Sequence, residues 1–450
     1  GTFMETKGIL KETIRMAWPA VLESFFVSLA AIIDTFMVSS LGTSGVASVG
    51  LTTQPKFIAL AIFMSCNIAV SALVARRRGQ GRQDEANELL KTALWFTIIG
   101  AITISAITVL GADIIIQLCG SNADTHAGGV EYFRIIQGGM IFNVVSLVIN
   151  AAQRGSGNTR IAMTTNVTSS IVNVIFNYLL IGGNFGFPAL GLTGAALATV
   201  LGTVVACVMS IISMTKKDSY ISLKLMKEHK IRATWDSFMS IMGLSGNFLL
   251  ENIAMRVGFV TTAVIAAKLG TAAFAAHQVG MNIISLSFAF GDGMQVSAVA
   301  LIGRSLGERD PEKAKRYGGL CQKIGLGISA CIAAVMWFFG RTIFSLFFAE
   351  PEVINMGVII SYYIMVITAF QISQVIYGGC LRGAGDVKYT LFASLISVTI
   401  VRTAVTWLLT GGIVTLGLHG IWIGILSDQF MRFLFMSIRF KQGAWVGYNI

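Results

Sequence analysis

Seven ionisable side chains stand inside long apolar stretches of this sequence: Glu23, Asp34, Glu251 and Asp292 are acidic, and Lys56, Arg256 and Arg402 are basic. In hydrocarbon such a charge costs on the order of 3 kcal/mol or more unless it faces protein or water. It therefore either neutralises a partner or serves protons, cations or charged solutes. Mutual pairing inside a helix bundle is the expectation for the three basic residues and for Asp292, which lies between Gly291 and Gly293. Glu23 and Asp34 read differently. At about 100° per residue, their spacing brings them within about 20° of a whole number of helical turns, so both carboxylates share one face. At about 1.5 Å per residue they lie about 16 Å apart along the axis, as suits a wet path into a bundle. Pro19, one turn before Glu23, removes a backbone hydrogen bond and favours a bend there. Asp34 is the leading candidate for a proton or cation, and Glu23 a candidate substrate contact.

Asn173 and Asn177 stand at i and i+4, so their amides point the same way. With Thr199 they offer oxygens that either cage a dehydrated Na⁺, with Asp34 and Asn177 as its ligands, or hydrogen-bond a protonated Asp34. Amides at such depth also join helices with no further role.

The elements that carry these residues are set by the bilayer. The chain has 450 residues, 54% hydrophobic and 12% charged, and its mean hydropathy is +0.74. Soluble domain cores of this size do not hide so much apolar surface. Apolar segments long enough to cross roughly 30 Å of hydrocarbon recur from end to end. They predict helices near 10–40, 46–75, 87–111, 130–153, 160–182, 190–214, 238–268, 274–303, 314–340, 354–381, 388–412 and 416–440. The first is too long for a cleavable signal and lacks a small-residue cleavage site. Gly1, Thr2 and Phe3 ahead of Met4 read as an appended remnant.

The net charge of +11 does not form a nucleic-acid-binding patch, because the basic residues sort by loop. Arg76 to Arg78 with Arg82, Arg154 with Arg160, Lys216 to Arg232, Arg304 to Lys323, Arg382 with Lys388, and Arg439 with Lys441 all follow alternate spans. The positive-inside rule then places both termini in the cytoplasm of a multi-pass cell-membrane protein. The six cysteines show no metal-ligand or disulfide spacing, and no Walker A loop, GxGxxG after a strand or HExxH is present. Neither an enzyme nor a cofactor is expected; energy would come from an ion gradient.

The chain also repeats itself at an offset of 228 residues. Leu22 and Glu23 fall on Leu250 and Glu251; Leu41 to Thr43 on Leu269 to Thr271; Leu73, Arg76, Gly79 and Ala86 on Leu301, Arg304, Gly307 and Ala314; "RGSGN" at Arg154 on "RGAGD" at Arg382. Near the end the offset becomes 226, where "GLTG" at Gly191 meets "GLHG" at Gly417. Gln54 and Asn282 coincide as well and are candidate substrate contacts. Six helices per repeat make the repeats parallel, related by a pseudo-two-fold axis along the membrane normal. The expected fold is all-α and integral to the membrane: twelve transmembrane helices in two six-helix lobes, 1–214 and 238–450, joined by a basic cytoplasmic linker at 215–237. Such lobes enclose a cleft that rocking exposes to alternate sides, the architecture of a monomeric carrier.

Several stretches together resemble the multidrug and toxic compound extrusion (MATE) family. They are "LGTAAFAAHQVGMNIISLSFAFGDGMQVSAVALIGRSLG" from Leu269, "DTFMVSSLG" from Asp34 with Pro19, "RGSGNTR", "LRGAGD", "GLTGAALAT" and the terminal "RFKQGAW". The resemblance implies antiport, an organic cation or amphiphilic drug leaving as H⁺ or Na⁺ enters. Asp34 matches the family's helix 1 acid and Glu251 a helix 7 acid used in one branch, which makes Glu251 a second coupling candidate. Asn177 stands where another branch has Asp, and Gln371 where some members carry a helix 10 acid. His277 and Gln278 lie in the family-like stretch and join Gln371 as candidate substrate contacts. The competing expectation is a flippase of the same wider superfamily moving a lipid-linked anion, which would favour a strongly basic cavity.

Overall fold

The computed structural model describes residues 2–41, 43–119, 121, 123–269 and 271–450. Nearly all are helical, because a chain in hydrocarbon must satisfy each backbone N–H and C=O internally and a helix does so within one segment. The long helices are α1 (Thr2–Val38), α2 (Thr43–Gly79), α3 (Gln83–Leu110), α4 (His126–Gly138 and Met140–Gly155, bent by 45°), α5 (Thr159–Ile181) and α6 (Leu192–Ser213). They continue as α7 (Trp235–Ala267), α8 (Thr271–Gly307), α9 (Pro311–Phe347), α10 (Pro351–Ala384), α11 (Val387–Leu409) and α12 (Leu418–Gln442). Each corresponds to one expected span. Ten are long and apolar enough to cross a membrane on those grounds alone, and the bent α4 makes an eleventh. The remaining one, α5, has the length but carries Asn166, Asn173 and Asn177.

The helix ends follow their sequences. Asn158 accepts the Ile161 amide at 3.4 Å to cap α5, and Asp310 accepts the Lys313 amide at 3.1 Å ahead of Pro311 in the first turn of α9. Gly385, at φ 90°, stops α10 in the left-handed region that favours glycine. Apolar side chains line the outside: Trp95, Ile99, Ile102 and Leu110 of α3 and Trp337, Phe338, Phe339 and Leu346 of α9 are exposed. Lipid suits such faces and water does not.

The chain forms two compact units, a C-unit of Gly1–Val21 with Gly246–Ile450 and an N-unit of Leu22–Ser245. These boundaries differ from the expected division at 214 and 238 in two places. The first half of α1 belongs to the C-unit, where Ile9, Met16 and Ala17 pack among Met294, Leu301, Tyr317 and Ile376. Gly293 admits the α1 backbone there, since a Cβ at that position would lie 2.6 Å from the Val21 Cα. Pro19 sits inside this continuous helix, beside the boundary between the units.

The basic segment 215–237 belongs to the N-unit. Gln83 and Asn87 of α3 donate to the Tyr220 carbonyl at 3.0 and 3.1 Å, and Asn87 Oδ1 accepts the Ser222 amide at 2.9 Å. Lys91 donates to the Ile231 carbonyl at 2.7 Å, while Glu88 accepts the Ser237 hydroxyl at 2.9 Å. These bonds make the segment a fixed strap along the end of α3.

Candidate functional site

In the N-unit, glycines on α6 bring that helix against α5. A Cβ at Gly202 would stand 2.8 Å from the Ser169 carbonyl, and Ser169 donates its hydroxyl to the Gly202 carbonyl at 2.8 Å. One turn along α5 from Ser169, Asn173 Oδ1 accepts from the Thr199 hydroxyl at 3.5 Å. One further turn along, the fully buried Asn177 donates through Nδ2 to Asp34 Oδ1 at 2.6 Å. The i, i+4 spacing thus unites Asp34, Asn173, Asn177 and Thr199, as read from the sequence. Asn177 Oδ1 is buried with no hydrogen-bond partner among the described residues. Leaving a buried acceptor unmet costs about 1–3 kcal/mol. Tyr132 of α4 is buried against Val38 of α1 and Ala195 of α6, one turn from Asp34 and Thr199 respectively. Among the described residues no three His, Cys, Asp or Glu side chains gather as a metal site, so any Na⁺ here would rely on one carboxylate, amide oxygens and hydroxyls.

Glu23 and Glu251 are committed differently. Glu23 Oε1 takes Arg154 from the end of α4 and the Asn166 amide of α5 at 2.5 Å. Glu251 Oε1 takes Arg382 from the end of α10 and the Ser394 hydroxyl of α11 at 2.8 Å. All three positions are related by the repeat offset: 23 and 251, 154 and 382, 166 and 394. Both carboxylates are buried, at 7% and 3% exposure, so each acid is already balanced by a fixed cation. In this arrangement each acid has an arginine as its partner. The sequence pointed to the acids but not to their arginines, which read as loop residues although they stand in the repeated "RG" motif.

The glycine of that motif positions each arginine. A Cβ at Gly383 would fall 2.7 Å from the Val299 carbonyl, and Gly155 meets the Ser71 carbonyl at the equivalent crossing of α4 and α2. Gly383→Ala therefore forces α10 and α8 apart and is expected to cost about 1–3 kcal/mol by overpacking. A lowered melting temperature in detergent, with weaker coupling between Glu251 and Arg382, is the expected measurement; an unchanged melting curve would show that the helices part freely.

The two units diverge where Asp34 stands. At the same offset its counterpart is Thr262, whose hydroxyl accepts from Arg402 Nε at 2.9 Å. Arg402 closes an eight-residue π-helical stretch, Leu395–Arg402, and with Arg432 shares Asp428, at 3.2 and 2.9 Å. Pairing was the expectation for Arg402. The partners Asp428 and Arg432 were not among the seven membrane charges read from the sequence, although both lie within the span at 416–440. Their i, i+4 pairing satisfies each charge internally and leaves no mark on hydropathy.

Of the remaining candidates, His277 is buried edge-on to Trp422, with ring centroids 5.5 Å apart. Gln371 is buried with its Oε1 lacking a hydrogen-bond partner among the described residues, and Asn282 is exposed. The side chains of Gln54 and Gln278 lie outside the described residues. His277, Asn282 and Gln371 belong to the C-unit, whereas Asp34 belongs to the N-unit. Arg256 is exposed and Asp292 half-buried. All six cysteines are free.

Comparison with known proteins agrees with this architecture. The MatE family model matches residues 19–179 and again 247–408, one match in each half of the repeat. The chain is 25% identical over 445 residues to the probable multidrug resistance protein NorM of Thermotoga maritima, covering 98% of this chain and 94% of that protein. It is 27% identical to a protein of the same description from Bradyrhizobium diazoefficiens, over 96% of this chain and 93% of the relative. Among solved structures, the outward-facing form of a multidrug resistance MATE family transporter of the MOP superfamily superposes with a TM-score of 0.88, at 22% identity, over 97% and 96% of the two chains. Matched over both repeats and aligned end to end with such relatives, this multi-pass membrane protein belongs to the MatE family of transporters.

Proposed function

We propose that the protein is a cation-coupled antiporter that exports organic cations or amphiphilic compounds, with H⁺ or Na⁺ loading at Asp34. The observation that carries this reading is the half-buried Asp34 held by the fully buried Asn177, whose own oxygen is uncommitted among the described residues. A carboxylate and a bare acceptor in hydrocarbon together favour a small cation. Tyr132, Thr199 and Asn173 supply further oxygens around the same point. Loading the carboxylate lowers the cost of burying it, and a state that buries it more deeply is thereby favoured; coupling needs only that difference in affinity between two states. The multidrug resistance names of the relatives support the substrate class. The lysines and arginines after alternate helices support a cell-membrane carrier with both termini cytoplasmic.

One feature favours a different substrate. Arg402 and Arg432 share a single Asp428, which leaves one positive charge in excess at that buried cluster in the C-unit. A flippase for a lipid-linked or other anionic substrate would use such a charge. The deciding experiment is efflux of a fluorescent organic cation from proteoliposomes under separately imposed proton and sodium gradients. Efflux driven by one gradient is expected; no cation movement under either, with an anionic lipid translocated instead, would establish the flippase.

A further inference from the structure

We propose that Lys56 is a tethered counter-ion for Asp34: its ammonium balances the carboxylate when no transported cation is bound and withdraws into the adjacent cavity when one arrives. This rests on the reading that Asp34 loads the coupling ion, and it adds a residue whose charge sets how tightly that ion is held.

Lys56 follows Pro55 within α2, inside the apolar segment Pro55–Gly79. It is half-buried and makes no hydrogen bond or ion pair among the described residues. An ammonium at such depth requires compensation. Two features of the N-unit supply it. Asp34 of α1 is held by Asn177, one turn from the Asn173 that bonds Thr199 on the wall Lys56 shares, and is close enough for its charge to reach the lysine. Lys56 also lines a cavity of about 180 Å³ whose wall includes Gln137, Asn143, Thr199 and Thr203. Amide and hydroxyl oxygens of α4 and α6 can therefore accept from it, and the volume admits water.

Thr199 joins the two places. It lines the cavity and also bonds Asn173, while Tyr132, packed against Val38 and Ala195, is the titratable group that α4 brings to this neighbourhood. A short movement of a flexible lysine stem would take the ammonium from the carboxylate side to the cavity side without changing the helix packing. The charge balance then has two states. Empty, Asp34 and Lys56 neutralise one another. Loaded, a proton or Na⁺ neutralises Asp34 and the ammonium is left to the cavity oxygens. The competing lysine weakens ion binding, and weaker binding lets the ion leave on the far side.

The test is the ion dependence of efflux in proteoliposomes. Lys56→Gln removes the competitor, so the ion concentration giving half-maximal efflux is expected to fall about ten-fold, the effect of one pKa unit. The maximal rate is expected to fall as release slows. Lys56→Met, similar in length and apolar, repeats the test without a new hydrogen-bonding group, and Lys56→Arg, which keeps the charge, is expected to retain the wild-type ion dependence. An unchanged half-maximal concentration in both neutral variants, with Asp34→Asn inactive, would overturn the counter-ion and leave Asp34 as the loading site. Undiminished gradient-driven efflux in Asp34→Asn would overturn the loading site itself, and the counter-ion with it. A shift in Lys56→Arg as large as in the neutral variants would also count against the proposal, since it would trace the effect to shape.

Discussion

Asp34→Asn is expected to abolish ion-gradient-driven efflux while leaving the protein folded and inserted. The two halves of that statement have separate causes. Asn has the shape of Asp and still presents an oxygen at the position of Oδ1, so the Asn177 Nδ2 donor keeps its acceptor at about the present 2.6 Å. Helix packing therefore has little reason to change. What disappears is the charge. An uncompensated ion in hydrocarbon costs on the order of 3 kcal/mol, and at about 1.4 kcal/mol per decade that is roughly a 100-fold loss of ion affinity. A carrier that no longer binds its driving ion cannot be turned by the gradient, yet exchange of substrate for substrate, which needs no ion, is expected to persist. The measurement is initial efflux rate with and without the gradient, beside a melting curve in detergent. Full gradient-driven efflux in the variant would remove Asp34 from the mechanism.

How much of this was readable beforehand follows from which interactions leave a trace in sequence. Bilayer thickness fixes the length of a spanning helix, so α1 to α12 each fall on an expected span. The Asp34–Asn177 contact was foreshadowed by helical spacing, because Asn173 and Asn177 necessarily share a face. The partners of Glu23 and Glu251 were not foreshadowed: Arg154 and Arg382 come from distant helices, and their loop-like "RG" context concealed side chains that reach into the bundle. Asp428 and Arg432 were invisible for the opposite reason, since charges one turn apart cancel within a single apolar helix. The boundary at Val21 also escaped the sequence. The repeat makes α1 the counterpart of α7, yet its first half packs with Met294 and Tyr317, and only tertiary contacts report that.

The paired glutamates support the second large prediction. Arg382→Leu leaves Glu251 buried at 3% exposure with only Ser394 to solvate it. Breaking such a pair from one side costs about 3–5 kcal/mol, whereas replacing both partners by apolar residues is often nearly neutral. Arg382→Leu alone is therefore expected to lower the yield and melting temperature sharply, and Glu251→Leu with Arg382→Leu to recover most of the loss. The repeat demands the same of Glu23 and Arg154, with Asn166 in the place of Ser394. Parallel behaviour in the two units would mark the pairs as locks that hold α1 to α4 and α5, and α7 to α10 and α11. The same variants decide whether Glu251 also carries the coupling ion. A lock predicts that the doubly apolar protein transports with the wild-type ion dependence, because Asp34 is untouched. A doubly apolar protein that folds and yet ignores the gradient would return Glu251 to the coupling set, with Arg382 as the cation it exchanges.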